Sequence, residues 1–336
     1  MKAWVTGARP GIDHLRLEDR PEPRPAAGEV VVATAAAALN YRDLLVIGGV
    51  GAWKPATARV PLSDAAGVVV DVGERVTRWS VGDRVVSTFF PHWIDGPIRP
   101  GVLRNSLGGA ARDGVLAERF VLPETALVRV PDNLAFEEAA TLPVAALTAW
   151  NSVVEQGMAG PGRTVVTQGT GGVGLFAAQF GVAVGARVIA TTSSLHKAAV
   201  LARLGVTHVI DRTATPGWDT KVQELTEGIG ADVVVDVAGG NLDCAMRSLA
   251  VGGVISLVGN LGGFDASFDL RQIVSGAQIR DVSVGSREMF ERMNAVIADR
   301  DVHPVIDRVF PFGDSVAAME YFRCRRHIGK VCISFP

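Results

Sequence analysis

Residues Thr164 to Gly174 read TVVTQGTGGVG, an apolar strand that runs into a turn with glycines at 169, 171 and 174, and the next residues, LFAAQF, open a helix. The first glycine permits a tight turn, the second lets backbone approach a pyrophosphate, and the third lets helix pack on strand. The N–H groups at the helix start are free to bind the anion. Gly169, Thr170, Gly171, Gly172, Val173 and Gly174 are therefore expected to hold a dinucleotide. A lone G-x-G-x-x-G also occurs in turns that bind nothing, but here a second apolar strand, Ala186 to Thr192, follows where a βαβ unit requires it.

A dinucleotide site that takes NAD usually has an acidic residue about 20 residues further on, at the end of the second strand, to hold the ribose 2′-hydroxyl. This chain reads RVIATTSSLHKAAVLARLG there and has no carboxylate. Thr191, Thr192, Ser193, Ser194 and Lys197 stand where an acid would repel a 2′-phosphate. Hydroxyls and a cation would bond that phosphate instead, each charge-assisted bond contributing roughly 1.5–3 kcal/mol. The expected cofactor is NADPH, with Ser193, Ser194 and Lys197 at the phosphate and Arg212, just after the third strand, as a further cation. A second reading stays open beside it, in which Ser194 N-caps a helix carrying Leu195, Ala198, Leu201 and Leu204, with Lys197 on its solvated face.

Composition fits a two-domain enzyme. The chain has 336 residues, 48% of them hydrophobic and 20% charged, enough to bury a sizeable core. A net charge of −2 and a pI near 6.3 disfavour a nucleic-acid surface. No apolar run reaches the roughly 18 residues of a membrane span, and MKAWVTGARPG lacks the regions of a signal peptide, so the cytoplasm is the expected location. Cys244, Cys324 and Cys332 are too few and too badly spaced for a disulfide framework or a CxxC metal lobe.

Strand-like runs recur at 164–167, 187–191, 207–210, 232–237, 254–258 and 279–284, mostly with helical periodicity between them. The expected fold class is α/β, with a doubly wound parallel sheet whose ligand binds beyond the carboxyl ends of the strands. The turns AGG (238–240), GNLGG (259–263) and GSR (285–287) should then face the cofactor, which adds Gly259, Asn260, Gly285 and Ser286 to the candidate contacts; each is equally readable as an ordinary strand-to-helix turn. Residues 1–122 instead show short strands broken by Gly, Pro and Asp and read as a β-rich domain. A helix-like SVAAMEYFRC and a strand-like KVCISF bring the chain back to it from residue 304 onward, leaving 123–303 for the cofactor domain. Residues 88–114, rich in aromatics and turn formers, read as a long loop; within it Phe89, Phe90 and Trp93 could line a pocket or a subunit contact, and His92 is the histidine best placed for function.

The segments LNYRDLL (39–45), PLSDAAGVVVDVG (61–73), VGDRV (81–85), AATLPVAALTAW (139–150), the glycine turn and the terminal GKV (329–331) together resemble the medium-chain dehydrogenase/reductase superfamily, in the zinc-independent branch related to quinone oxidoreductases. The resemblance spans nearly the whole chain. It implies a GroES-like catalytic domain, a Rossmann cofactor domain and a homodimer acting on a small molecule. Zinc-dependent relatives place cysteine at the position of Asn40, histidine and glutamate at those of Ser63 and Asp64, and cysteine at that of Val144. An amide, a hydroxyl, one carboxylate and a valine do not make a zinc site, and the expectation is a metal-free enzyme.

Without a Lewis acid, alcohol oxidation at neutral pH is difficult, whereas a quinone or conjugated carbonyl is already electrophilic and needs positioning and one donor to the developing oxyanion. Asn40 can give an amide N–H and Tyr41 a phenolic proton; a cap or turn residue and a packing aromatic are their plain alternatives. In the family the acid at Asp43 supports the loop, and Thr148 matches a position beside the nicotinamide. Some quinone reductases carry a tyrosine five residues after the asparagine, where this chain has Leu45. The expected activity is NADPH-dependent reduction of a quinone or α,β-unsaturated carbonyl, with a metal-free alcohol dehydrogenase or a non-catalytic nucleotide-binding module as alternatives.

Overall fold

The computed structural model describes residues 1–194, 197–237, 239, 242–259, 271 and 273–336. Asn260 and parts of the turns at 238–240 and 259–263 lie outside them. The chain forms two units, one of residues 1–145 and 286–336, the other of residues 146–285.

The first unit begins with β1 (Lys2–Val5), β2 (Arg16–Asp19), β3 (Glu29–Ala38), helix α1 (Tyr41–Ile47), β4 (Asp64–Val72), β5 (Arg84–Ser87), the helical turn α2 (Pro100–Leu103), β6 (Arg119–Pro123), β7 (Leu127–Arg129) and α3 (Phe136–Ala139). The second carries α4 (Leu147–Trp150), β8 (Thr164–Gln168), α5 (Gly172–Ala183), β9 (Arg187–Thr192), α6 (Ala198–Arg203), β10 (His208–Asp211), α7 (Trp218–Leu225), β11 (Ala231–Asp236), α8 (Leu242–Arg247), β12 (Leu249–Leu257) and β13 (Gln278–Asp281). The chain then rejoins the first unit as α9 (Arg287–Asp299), β14 (Ile306–Pro311), α10 (Ser315–Arg323) and β15 (Lys330–Ser334).

In the first unit, β14, β15, β3, β4, β5 and β7 lie side by side and β6 adds to β3. The inward residues Val30, Val32, Val69, Val85, Leu116, Phe120, Val331 and Ile333 form its core. The sequence reading put the domain boundaries after residues 122 and 303, whereas the units meet at 145/146 and 285/286. Backbone pairing accounts for the difference. Leu127–Arg129 continues the first sheet by pairing with β5, and α9 is tied to the same unit by Arg287 N–H to the Trp93 carbonyl at 2.9 Å and Asn294 Nδ2 to the Arg129 carbonyl at 3.0 Å.

The second unit is a six-stranded parallel sheet in the order β10-β9-β8-β11-β12-β13, the doubly wound arrangement with its switch point beside β8. Its central strands are apolar on both faces, with Val165, Val166, Val188, Ile189, Val233, Val234 and Val235 all buried, as a sheet covered on both sides requires. Two expectations are corrected. The last strand ends at Asp281 rather than continuing to 284, where Val284 takes a left-handed φ of 59° incompatible with extended pairing. The helix after β9 begins at Ala198, and its N-cap residue is Lys197, not Ser194; Ser194 instead accepts the Lys197 N–H through its carbonyl at 3.1 Å.

Candidate active site

In the second unit Gly169 and Gly174, after β8, have the geometry that the spacing implies. Gly169 has φ of 78°, the left-handed region. A Cβ on Gly174 would stand 2.5 Å from the Gly169 carbonyl oxygen, so no larger residue fits there without backbone movement. A Cβ on Gly171 would meet nothing within 4 Å. Glycine at 171 is therefore not demanded by the protein's own packing; the open space is what a ligand lying on the backbone would use. Behind the turn, Gln168 and Thr191 are register partners on β8 and β9. Among the described residues, both ends of the buried Gln168 amide and the Thr191 hydroxyl lack a hydrogen-bond partner, the state of groups that await an external one. These features fit a dinucleotide cofactor, which the Gly169 to Gly174 backbone could hold.

At the end of β9, Thr192 Oγ1 accepts the Ser194 N–H at 3.3 Å and the exposed Ser193 offers its carbonyl to Thr213 Oγ1 at 3.2 Å. Arg212 is anchored by its N–H to the Thr192 carbonyl at 2.9 Å. Among the described residues neither Lys197 nor Arg212 has a carboxylate partner. Gly259 and Gly285 have packing reasons of their own: a Cβ would press on the Val237 carbonyl in the first case and on the Leu147 side chain in the second. Ser286 spends its hydroxyl as the N-cap of α9, accepting the Met289 N–H at 3.2 Å. Thr148 lies buried in α4, between two wider π-type turns, and its carbonyl accepts the Ser152 hydroxyl at 2.8 Å.

The first unit concentrates buried charge. Asn40 is the N-cap residue of α1, and Asp43 closes the first turn by accepting the Asn40 N–H at 2.8 Å. The Asn40 side chain makes no cap bond; its Oδ1 accepts from Lys330 Nζ at 2.6 Å, and the same ammonium donates to the Leu39 carbonyl at 2.6 Å. Asp64 accepts the Ser63 hydroxyl at 2.6 Å and the Val144 N–H at 3.1 Å. The Asn40 amide is near enough to favour the Asp64 carboxylate, yet its enclosed Nδ2 completes no hydrogen bond of normal geometry. Burial pushes Asp43 up to about 6 against the pull of the Arg42 guanidinium, and Asp64 adds to the rise. Burial likewise raises Asp64, opposed by Lys330, and lowers Lys330, opposed by Asp64.

Arg42 ties this cluster to the long loop. Its Nη1 donates to Asp43 Oδ1 and to the carbonyls of Leu107 and Gly108, each at 3.0 Å, and its guanidinium lies over the rings of Trp53 and Phe89 at 5.2 and 5.3 Å. Phe89, Phe90 and Trp93 are buried and packed on one another. His92 is exposed, 3.1 Å from Arg112, and burial followed by that cation lowers its pKa.

Asn40 and Asp43 thus converge, while Tyr41 turns away. With Leu44 and Leu45 it faces a cavity of about 440 Å³ on the other side of α1, where the Arg325 guanidinium donates to its hydroxyl at 3.2 Å and lies 5.1 Å from its ring centroid. Lys330 and Arg42 escaped the sequence reading. For Lys330 the signal was a charge set in an otherwise apolar strand, KVCISF; for Arg42 there was none, since a helix arginine beside an aspartate is usually solvated.

The donor set where zinc relatives bind metal does not fit zinc. Asn40 Oδ1 faces an ammonium, the Ser63 hydroxyl is given to Asp64, and Val144 supplies only a backbone N–H. No group of three or more His, Cys, Asp or Glu side chains able to hold a metal occurs among the described residues.

Two family models match, the alcohol dehydrogenase GroES-like domain over residues 26–132 and the zinc-binding dehydrogenase domain over residues 172–299. The chain is 41% identical over 332 residues to a zinc-type alcohol dehydrogenase-like protein of Schizosaccharomyces pombe, covering 96% of each. It is 28% identical to the acryloyl-coenzyme A reductase of Metallosphaera sedula, covering 99% of this chain and 100% of that one. A crystal structure ascribed to an alcohol dehydrogenase of Sinorhizobium meliloti 1021 superposes with a TM-score of 0.92 at 40% identity, over 99% of this chain and 98% of the other. A GroES-like unit joined to a Rossmann sheet defines the class, an oxidoreductase of the alcohol dehydrogenase type that uses a nicotinamide cofactor. The chain belongs to the medium-chain dehydrogenase/reductase superfamily.

Proposed function

We propose that this protein is a zinc-independent, NADPH-dependent reductase of quinones or α,β-unsaturated carbonyl compounds. The observation that carries the reading is the donor set around Asp64, where a buried ammonium and an amide stand in a site that metal-using relatives fill with ligands. Lacking a Lewis acid, such a site favours acceptors that are electrophilic by their own conjugation. The relative that reduces acryloyl-coenzyme A is in keeping with that class of acceptor.

The nicotinamide supplies the hydride when bound. The chain's share is to hold and orient. The open backbone at Gly171 takes the pyrophosphate, and Lys197 and Arg212, without acidic partners among the described residues, receive a 2′-phosphate at the end of β9, where an NAD-specific site would present a carboxylate. The Asn40 amide, whose Nδ2 lies buried against the Asp64 carboxylate, is assigned to the oxygen on which negative charge develops; Tyr41 is the second candidate donor, and Thr148 orients the cofactor ring. We further infer a cytoplasmic homodimer. Three free cysteines suit a reducing compartment, and the exposed edge strand β13 leaves the second unit's sheet open to pairing with another copy. Among the described residues no helix is long and apolar enough to cross a membrane.

The test is oxidation of NADPH and NADH with a panel of quinones, enones and simple aldehydes, in chelator-treated protein. Turnover of conjugated acceptors with NADPH supports the proposal. Activity confined to alcohols and simple aldehydes would make it an alcohol dehydrogenase, and cofactor binding with no turnover a non-catalytic module.

A further inference from the structure

Helix α10 ends at Arg323, Cys324 is its C-cap, and the next residue, Arg325, takes a left-handed φ of 55°. Helices commonly close with glycine at that position, because a side chain there strains the backbone. An arginine held in glycine's conformation asks for a reason outside the turn. Its guanidinium supplies one, donating to the Tyr41 hydroxyl at 3.2 Å and lying 5.1 Å from the centre of that ring. Both side chains line the cavity of about 440 Å³ behind α1, where the partly exposed Leu44 and Leu45 form an apolar wall. That volume falls within the roughly 300–1,000 Å³ of small-molecule pockets.

Charge decides what fits there. Arg323, also in the lining, is taken by Glu320, which accepts from its Nε at 2.8 Å and lies 2.6 Å from its Nη2. Arg325 is exposed and has no carboxylate partner among the described residues; beyond the N–H given to Tyr41, its guanidinium has further donors to offer. The Tyr41 oxygen accepts from Arg325, which leaves the phenolic proton to be donated elsewhere. A cation and a hydroxyl donor side by side suit the two oxygens of one carboxylate. The exposed Asp13 lines the cavity as well, and a phosphate dianion would set its second charge against that acid, with Arg325 alone left to offset it. We propose that this cavity binds a small organic monocarboxylate, the acid group shared between Arg325 and the Tyr41 hydroxyl, and an aliphatic or aromatic body laid on Leu44 and Leu45. The site does not depend on the reaction proposed above.

Ligand-observed NMR titration of the full chain with benzoate and with hexanoate tests it, with benzamide as the neutral match in shape and inorganic phosphate as the dianion. At least one of the two acids is expected to bind with a Kd of about 1 mM or tighter, and benzamide and phosphate about tenfold more weakly or worse. Arg325→Gly is the informative variant, because glycine keeps the left-handed turn and removes only the side chain. Its melting temperature should stay close to the parent's while carboxylate binding weakens by about tenfold or more; an arginine of purely structural use would move the melting temperature and not the affinity. Tyr41→Phe keeps the ring under the guanidinium and should weaken the acid by about two- to tenfold, the range for one hydrogen bond. Four results overturn the proposal: no saturable binding of either acid up to about 10 mM, equal affinity for benzoate and benzamide, phosphate binding more tightly than both acids, or an Arg325→Gly or Tyr41→Phe protein that binds as tightly as the parent.

Discussion

The cluster around Asn40 in the first unit and the turn after β8 in the second solve opposite problems. Around Asn40, two carboxylates and two cations are buried: Asp43 pairs with Arg42 and accepts the Asn40 N–H, Asp64 accepts from the Ser63 hydroxyl and the Val144 N–H, and the cations donate to backbone carbonyls and to the Asn40 amide. At the glycine turn almost nothing is charged, and the functional groups are backbone N–H donors, an unpartnered glutamine and open space at Gly171. The first region carries its electrostatics ready-made, each buried charge holding a bonded partner; the second has the open backbone that the proposed cofactor's phosphates would complete. Mutations in the first should therefore register mainly as stability or kcat, and mutations in the second as cofactor affinity.

The sharpest way to break that contrast is Arg42→Met. It strips Asp43 of its ion pair, frees the carbonyls of Leu107 and Gly108 and unpins the long loop. Losing one partner of a buried pair costs about 3–5 kcal/mol. Urea denaturation should show a loss of that size, with faster proteolysis within residues 88–114. A loss below about 1 kcal/mol would mean that the cluster is solvated and the comparison fails.

A second test uses pH. The folded state raises Asp43 from its ordinary 3.8 to about 6, so between those values the folded protein holds more protons than the unfolded one. Stability must then fall as pH rises from roughly 4 to 6 and level off above, by at most about 3 kcal/mol for this group. Asp64 contributes in the same direction. In Asp43→Asn the fall between pH 4 and 6 should shrink, read from denaturation midpoints at each pH.

In the second unit the expected signature is affinity without stability. Gly171→Ala places its methyl in open space, so the melting temperature should stay close to the parent's while KM for both NADPH and NADH rises, about tenfold. Lys197→Ala should raise KM for NADPH by about tenfold, the lower end for one charge-assisted bond, and leave NADH unchanged. Equal effects on both cofactors would remove Lys197 from the phosphate.

What was legible in the sequence follows the same contrast. The parallel sheet, its strand count, the tight turn at Gly169 and the close packing at Gly174 were readable because they rest on local rules: alternation of apolar runs, glycine spacing and backbone sterics. The ends were less so. The left-handed Val284 and the helix start at Ala198 depend on tertiary contacts that periodicity does not report. In the first unit, LNYRDLL offered Asn40, Tyr41 and Asp43 as one group, but helical geometry sends Tyr41 to a different face from its neighbours. The partners that give Asn40 its setting, Lys330 and Asp64, lie 290 and 24 positions away in a chain whose residue numbers alone carry no hint of the meeting. Asp64 was noticed only as a lost metal ligand, and Lys330 only as part of a family mark.

At Tyr41 the expected effect is smallest. Its ring faces the 440 Å³ cavity with Leu44, Leu45 and Arg325 rather than the buried cluster. If its hydroxyl donates to substrate, Tyr41→Phe removes one neutral hydrogen bond, about 0.5–1.5 kcal/mol, so kcat should fall by roughly two- to tenfold with KM for NADPH unchanged. The Arg325 guanidinium now bonded to that hydroxyl would lose an acceptor in the same variant, and the two effects can be separated by Arg325→Met. Loss of kcat in Tyr41→Phe alone assigns the phenol to the reaction. Equal, small losses in both variants, matched by equal drops in melting temperature, assign the pair to packing on the back of α1 and leave the oxyanion to Asn40.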